Sequence, residues 1–184
     1  MELTNPAPGV QALLLLVAFM AAIFDMRSRR IPNWVSVGGV ALGLALNTFL
    51  YGIPGLKSSA LSLLIGFGIY FVLYAVRAMG AGDVKLMGAV GAIVGRWQNW
   101  MGIFIVTAVI GGAAALALSI SRGRLRRTLW NVRYLLNEMV HGRAPYVRHE
   151  ELDVRSSKAL RLPHGAVIFA GIVIFLAMAQ KYGR

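Results

Sequence analysis

Residues 100–120 read WMGIFIVTAVIGGAAALALSI, a stretch of 21 residues without a charged side chain. A helix needs about 20 predominantly apolar residues to cross the hydrocarbon core of a bilayer. Five more apolar segments lie at residues 10–24, 35–51, 59–76, 84–94 and 163–180. The sequence therefore predicts an all-α, polytopic integral membrane protein with about six transmembrane helices and a cytoplasmic loop at 121–162.

The composition excludes an ordinary soluble domain. Hydrophobic residues make up 58% of the 184 residues, charged residues make up 14%, and the mean hydropathy is +0.66, which is unusual for a soluble protein. Cysteine is absent, which excludes disulfides, a thiolate nucleophile and Cys-ligated zinc. We expect residues 1–184 to form a single membrane domain, in which the short segment 84–94 has its ends inside the protein.

The basic residues divide unevenly between the predicted loops. If the N-terminus is outside, four of the 19 Lys and Arg residues lie on the outer side and fifteen lie on the inner side. This asymmetry predicts a multi-pass protein of the inner (plasma) membrane with an external N-terminus. The formal net charge of +12 indicates attraction to anionic lipid. Nucleic acid is not an expected partner, because the charge borders spanning segments.

Acidic residues are nearly absent from the membrane part. Between Leu3 and Asn137 the chain has only Asp25 and Asp83, and each lies where an apolar segment meets basic residues. An ionised Asp near the hydrocarbon core costs roughly 2.5–3.5 kcal/mol. These two acids therefore predict a two-carboxylate site, and the charge asymmetry predicts that it faces the cytoplasm.

The first acid belongs to the sequence FDMRSRRIPN at residues 24–33. Pro32 restricts the backbone of the residue before it, and Asn33 can cap the next helix, so a turn is expected here. A different role for Asp25 is a weak ion pair with Arg27 or Arg29 at a solvated helix end.

The second acid belongs to the sequence GAGDVKLMG at residues 80–88. Gly80 and Gly82 lack side chains, so an extended substrate backbone can approach Asp83 closely. Lys85 is expected either to contact a substrate carboxylate or to anchor the inner leaflet. The glycines of this segment also fit small-residue helix packing, which includes a GxxxG pair at residues 91–95.

Two neighbouring carboxylates can carry out acid–base chemistry without a cofactor. One pKa of such a pair rises, so the pair holds a single proton near neutral pH. The ionised member can deprotonate a water molecule while the protonated member polarises a carbonyl. His141, His149, Glu150 and Asp153 have no compact metal-ligand spacing, so no metal site is predicted.

These motifs together resemble the type IV prepilin peptidases. Gly80-Ala81-Gly82-Asp83 has the GxGD form of intramembrane aspartyl proteases, and Asp25, the Ile31-Pro32-Asn33 turn, Lys85-Leu86-Met87-Gly88 and Pro163-His164-Gly165 are similar to that family's pattern. The resemblance implies that Asp25 and Asp83 form a catalytic dyad. It also implies an aspartic-type endopeptidase that cleaves the basic leader from prepilins at the cytoplasmic face. Gly80, Gly82, Asn33 and Lys85 are the expected substrate-binding residues.

Two features of the chain differ from the larger bifunctional members. Those members carry paired Cys motifs and also N-methylate the new pilin end, whereas this chain has no Cys and a connection of only ten residues between the first two predicted helices. Methyl transfer is therefore not expected. The compact form is similar to the small peptidases of tight-adherence (Flp-type) pilus systems, and a preflagellin-type substrate stays open.

The loop at 121–162 contains apolar residues at helical spacing, from Leu125 to Met139, with arginines around them. This pattern predicts a basic amphipathic helix on the membrane surface. Its expected partners are anionic lipid or an acidic component of the pilus or secretion machinery.

Two other classes of protein fit some of these features. A proton-linked transporter or channel also uses paired intramembrane acids, but no inverted repeat is visible. A non-catalytic scaffold for pilus assembly is the other alternative, and replacing either Asp by Asn distinguishes it from an enzyme.

Overall fold

The computed structural model describes residues 5–75, 79–123, 125–126, 130, 133–134 and 163–182. These residues form five α-helices and no strand: α1 (Pro8–Ser28), α2 (Asn33–Ala75), α3 (Ala81–Val94), α4 (Trp97–Ser121) and α5 (His164–Tyr182). The predicted all-α class is confirmed. Most of the predicted loop at 121–162, with its surface helix, lies outside the described residues.

Four of the described helices, α1, α2, α4 and α5, are long and apolar enough to cross a membrane. Helix α3 is different, because its 14 residues extend only about 21 Å, less than the hydrocarbon thickness of about 30 Å. Nearly all its side chains from Val84 to Val94 are buried, with Lys85 as the exception. As predicted for so short a segment, α3 is enclosed by the other helices.

The count of six separate helices is not reproduced in the described residues. The segments predicted at 35–51 and 59–76 both belong to α2, which is broken at Gly52 (φ 65°, ψ −152°). This left-handed backbone conformation favours glycine, and Pro54 removes a further helical hydrogen-bond donor. The prediction treated this sharp break as a loop, whereas the two halves of α2 are consecutive.

Both halves of α2 pack along α3 through glycines. A Cβ atom on Gly43, in the first half, would lie 2.7 Å from the backbone nitrogen of Ile93, and one on Gly66, in the second half, would lie 2.7 Å from the carbonyl oxygen of Met87. A Cβ atom on Gly91 would likewise collide with the backbone of Ser62. The two halves of α2 therefore flank α3, and larger residues at these positions would force the backbones apart.

The C-terminal end of α3 is closed by polar side chains of α2. The Asn47 amide nitrogen lies 3.1 Å from the Ala92 carbonyl oxygen and 2.9 Å from that of Ile93. The Ser58 hydroxyl donates to the Gly95 carbonyl (2.6 Å), and the Ser59 hydroxyl donates to that of Ala92. These donors satisfy carbonyls that a helix end leaves unpaired and that lipid cannot satisfy.

Candidate active site

Asp25 lies in the last turn of α1 and is 9% exposed. The helix ends at Arg29, which has a left-handed backbone (φ 55°) and donates its N–H to the Asp25 carbonyl oxygen (2.9 Å). The side chain turns to another helix, where its Oδ2 accepts a 2.7 Å hydrogen bond from the Gly165 N–H. The carboxylate is thus fixed between α1 and the start of α5.

Gly165 fits this contact because it is small and lies in the first turn of α5. A Cβ atom at this position would lie 3.0 Å from the Cβ and 3.2 Å from the Oδ2 of Asp25, closer than most neighbours can tolerate. Backbone N–H groups in a first turn have no helical partner, and the helix dipole favours a negative charge there. The segment Pro163-His164-Gly165 therefore provides an N–H donor for Asp25.

Asp83 lies in the first turn of α3. The preceding Gly80 is extended (φ −80°, ψ 150°), and its N–H donates to Asp83 Oδ2 over 3.3 Å, while the Asp83 N–H donates back to the Gly80 carbonyl (3.2 Å). This reciprocal pair resembles a capping box. A Cβ atom on Gly80 would lie 3.2 Å from the carboxylate, and one on Gly82 would lie 3.4 Å from the Cβ of Ile31. Small residues thus keep the approach to Asp83 narrow but open.

The two carboxylates interact electrostatically, although 57 residues separate them in the chain. Asp83 belongs to α3, which is not one of the four helices long enough to span a membrane. Desolvation by burial and then the charge of Asp25 raise the pKa of the Asp83 carboxyl, the hydrogen bond from Gly80 lowers it, and the net result is a pKa of about 7. Near neutral pH, a proton on Asp83 therefore lies beside the Asp25 carboxylate, as two coupled acids require.

Asn33 and Lys85 lie together at the exposed rim of this site. The Lys85 Nζ donates a 3.0 Å hydrogen bond to the Asn33 Oδ1, and this bond joins the first turn of α3 to the first residue of α2. Both side chains are exposed. The rim therefore offers a positive charge and an amide beside the buried acids.

Two residues at the site were not predicted from the sequence. Tyr70, in the second half of α2, is 2% exposed and interacts electrostatically with Asp83. His164 interacts in the same way with Asp25, and its ring centroid lies 6.4 Å from that of Tyr70. The only sequence signal was the Pro163-His164-Gly165 segment, and nothing local indicated that Tyr70 faces the acids.

Within the described residues, no group of three or more His, Asp or Glu side chains is placed to hold a metal ion. His141, His149, Glu150 and Asp153 lie outside these residues. The chemistry that the described site supports is acid–base chemistry, with one carboxyl group that holds a proton and one that can accept a proton.

Comparison with known proteins identifies the family. The sequence profile of the type IV leader peptidase family matches residues 12–116, a range that includes both Asp25 and Asp83. The chain belongs to the type IV leader peptidase family. The matched range covers most of α1, all of α2 and α3, and most of α4, so the hydrogen bond from Gly165 comes from a helix outside the match.

Individual relatives agree with this family. A preflagellin peptidase of Methanococcus voltae is 34% identical over 86 residues, which cover 45% of this chain and 37% of that protein. A prepilin leader peptidase/N-methyltransferase of Neisseria gonorrhoeae is 29% identical over 126 residues (60% and 41%), and one of Burkholderia pseudomallei is 26% identical over 136 residues (68% and 43%). The matches span about two fifths of the length of these relatives. No solved structure matches this chain.

Proposed function

We propose that the protein is a membrane aspartyl endopeptidase that cleaves the leader peptide from type IV or Flp-type prepilins. The observation that carries this proposal is the electrostatic coupling of two carboxyl groups, the buried Asp25 and the partly buried Asp83, in a chain of the leader peptidase family. An acid with its pKa near 7 beside an ionised acid is the protonation state that peptide hydrolysis at neutral pH requires.

The two acids take different roles in the proposed reaction. Asp25, whose carboxylate accepts the Gly165 N–H, acts as the general base and removes a proton from water as its oxygen attacks the scissile carbonyl carbon. Asp83, whose pKa is raised to about 7, donates its proton to the carbonyl oxygen. The tetrahedral intermediate then collapses: one of its hydroxyl groups returns a proton to Asp83 as the carbonyl reforms, the C–N bond breaks, and the proton on Asp25 passes to the leaving amine.

The residues around the dyad would bind the substrate. Gly80 and Gly82 leave room for an extended main chain beside Asp83. Asn33 and Lys85, which are already joined at the rim, would contact polar groups of the bound prepilin, and Lys85 would contact a carboxylate. The N-methyltransferase activity in the names of the two bacterial relatives is not part of this proposal, because the matched segments cover only 41% and 43% of those proteins.

The proposed location is the inner membrane, with the N-terminus outside and the dyad at the cytoplasmic face. The distribution of Lys and Arg supports this orientation. The basic segment after α4 would bind anionic lipid or an acidic partner of the pilus machinery. In this segment the rings of Trp130 and Tyr134, four residues apart, stack with centroids separated by 5.4 Å, as neighbours on a helix can.

Cleavage of a co-expressed prepilin tests the function. The wild type should remove the leader, whereas Asp25→Asn and Asp83→Asn should each lose roughly 10²–10⁴-fold in rate because a general acid or base is removed. Asp153→Asn makes the same chemical change at an acid far along the chain and serves as the matched control. Gel shifts at equal membrane levels, with a prepilin and a preflagellin as alternative substrates, provide the readout. Cleavage by both dyad variants at the control rate would reject the dyad mechanism, whereas no cleavage by the wild type would reject the proposed enzyme for these substrates.

A further inference from the structure

His164 carries a buried ring nitrogen that has no hydrogen-bond partner among the described residues. Its Nε2 atom is buried and makes no hydrogen bond to the residues that the structure describes. Buried polar atoms in folded proteins are nearly always paired, so an unpaired one needs an explanation. One explanation is a partner that arrives only when a ligand binds, because the free energy lost by leaving the atom unpaired is then recovered.

The position of His164 indicates which ligand this is. The following residue, Gly165, holds the Asp25 carboxylate through its N–H at 2.7 Å, and the charge of Asp25 acts on the His164 imidazole. The ring lies 6.4 Å from that of Tyr70, which interacts with Asp83. His164 therefore lies beside Asp25 and is linked to Asp83 through Tyr70, in the region that a peptide must enter to react.

Packing fixes the imidazole in this position. The Tyr70 ring contacts Trp100 and Phe104 edge-on, at centroid distances of 6.5 and 6.0 Å, and contacts His164 at an interplanar angle of 46°. Trp100 is itself fixed by a hydrogen bond from its indole N–H to the Met87 carbonyl (3.1 Å). The histidine therefore presents its free nitrogen from a rigid aromatic cluster that joins α2, α4 and α5.

We propose that His164 is a substrate-binding residue of the peptidase, and that its Nε2 atom forms a hydrogen bond with a main-chain group of the bound prepilin next to the scissile bond. This inference rests on the proposed function. An extended peptide presents both N–H and C=O groups, so either tautomer of the imidazole finds a partner. The bond supplements the backbone contacts that the glycines at 80 and 82 permit.

Two substitutions distinguish the role of the aromatic ring from the role of the Nε2 atom. His164→Phe keeps an aromatic ring against Tyr70 but removes Nε2, whereas His164→Gln loses the ring but places an amide donor and acceptor at a similar reach. We expect His164→Phe to raise KM for a prepilin leader peptide by roughly tenfold with little change in kcat, as the loss of one hydrogen bond to substrate predicts. His164→Gln should stay within about threefold of the wild type.

A purely structural histidine predicts the opposite order, in which the Phe variant is active and the Gln variant is impaired, and that result would overturn the proposal. Equal activity of both variants and the wild type would also overturn it. Phe19→Leu removes an exposed ring outside this cluster, one that contacts Phe169, and should leave KM unchanged. If His164→Phe folds poorly, His164→Leu provides a second variant without Nε2, with KM measured on the folded fraction.

Failure of the proposed function gives a different result. A wild type that cleaves no prepilin would reject the proposed function itself, whereas the outcomes above all compare variants of an active enzyme.

Discussion

The two ends of α3 differ in whether their polar groups have hydrogen-bond partners within the fold. At the C-terminal end, the carbonyls of Ala92, Ile93 and Gly95 are all paired with side chains of α2. At the N-terminal end, Asp83 is partly buried and has a raised pKa because of desolvation and the charge of a second acid, and a nearby histidine nitrogen has no partner among the described residues. One short helix is therefore held in place at one end and left reactive at the other.

The difference between the two ends shows how a membrane protein can tolerate a site that lowers the free energy of unfolding. Buried charge and unpaired polar atoms destabilise a fold, so the helix that carries them must be fixed elsewhere. The close glycine contacts of α2 with α3 and the closed C-terminal end provide this anchoring. The comparison predicts that substitutions at the C-terminal end change stability, and that substitutions at the N-terminal end change catalysis.

The largest stability effect is expected for Asn47→Ala. The Ile93 carbonyl would lose its side-chain donor and the Ala92 carbonyl would keep only the Ser59 hydroxyl. An unpaired buried group costs about 1–3 kcal/mol, and the cavity left by the buried Asn47 side chain adds to this cost. We expect the free energy of unfolding in detergent to fall by about 2–5 kcal/mol, with an unchanged cleavage rate per folded molecule. Gln180→Ala removes an exposed amide that contacts Gln11 over 3.5 Å and should have little effect. An Asn47 variant as stable as the wild type would show that these contacts do not anchor α3.

An intermediate effect of opposite sign is expected for Asp83→Asn. The folded protein keeps the Asp83 proton up to a pKa of about 7, whereas the unfolded chain releases it near 3.8. The folded state therefore loses stability as the pH rises from about 4 to 7, and the loss is complete above 7. The Asn variant lacks this cost, so it should be more stable than the wild type by about 1–3 kcal/mol at pH 8 and equally stable near pH 4.

Thermal unfolding across this pH range provides the measurement for Asp83→Asn. The matched control is Asp153→Asn, which should shift stability equally at both pH values. If the wild type and Asp83→Asn keep a constant difference from pH 4 to pH 8, then Asp83 does not titrate near neutral pH, and its role as the general acid would have to be abandoned.

The smallest effect is expected for Lys85→Ala. The bond between Lys85 and Asn33 is exposed, so its loss should change the free energy of unfolding by less than about 1 kcal/mol. If the pair binds substrate at the rim, KM should rise a few-fold with kcat unchanged. Lys57→Ala removes a charge from α2 away from the Asn33 contact and is the control. A KM equal to that of the control would remove Lys85 from the substrate site.

The sequence predicted the parts of this molecule that local patterns encode. Apolar segments of about 20 residues predicted the long helices, and the burial of α3 followed from its length. Gly91 packs against α2 as the small-residue pattern suggested, but Gly95 instead ends α3 in a left-handed conformation (φ 70°). The interruption at Gly52 falls where the prediction ended the helix at 35–51, but the prediction placed a loop up to residue 59, whereas helical structure resumes directly after Gly52.

The site was only partly predictable, because it depends on contacts between distant segments. The rarity of acids indicated Asp25 and Asp83, and the GxGD resemblance paired them, but no sequence spacing could have shown that the Gly165 N–H fixes Asp25. Tyr70 and His164 join the site only through the packing of α2, α4 and α5. Such residues give no local signal in a single sequence.

The most direct test compares the two ends of α3 in one assay. Purified wild type, Asp83→Asn and Asn47→Ala would be incubated with a prepilin leader peptide at equal concentrations of folded protein, and their melting temperatures would be recorded in parallel. The account predicts that Asp83→Asn is inactive with an unchanged or higher melting temperature, and that Asn47→Ala melts earlier but cleaves at the wild-type rate. Cleavage by Asp83→Asn at the wild-type rate would contradict the assignment of the N-terminal end of α3 as the catalytic end.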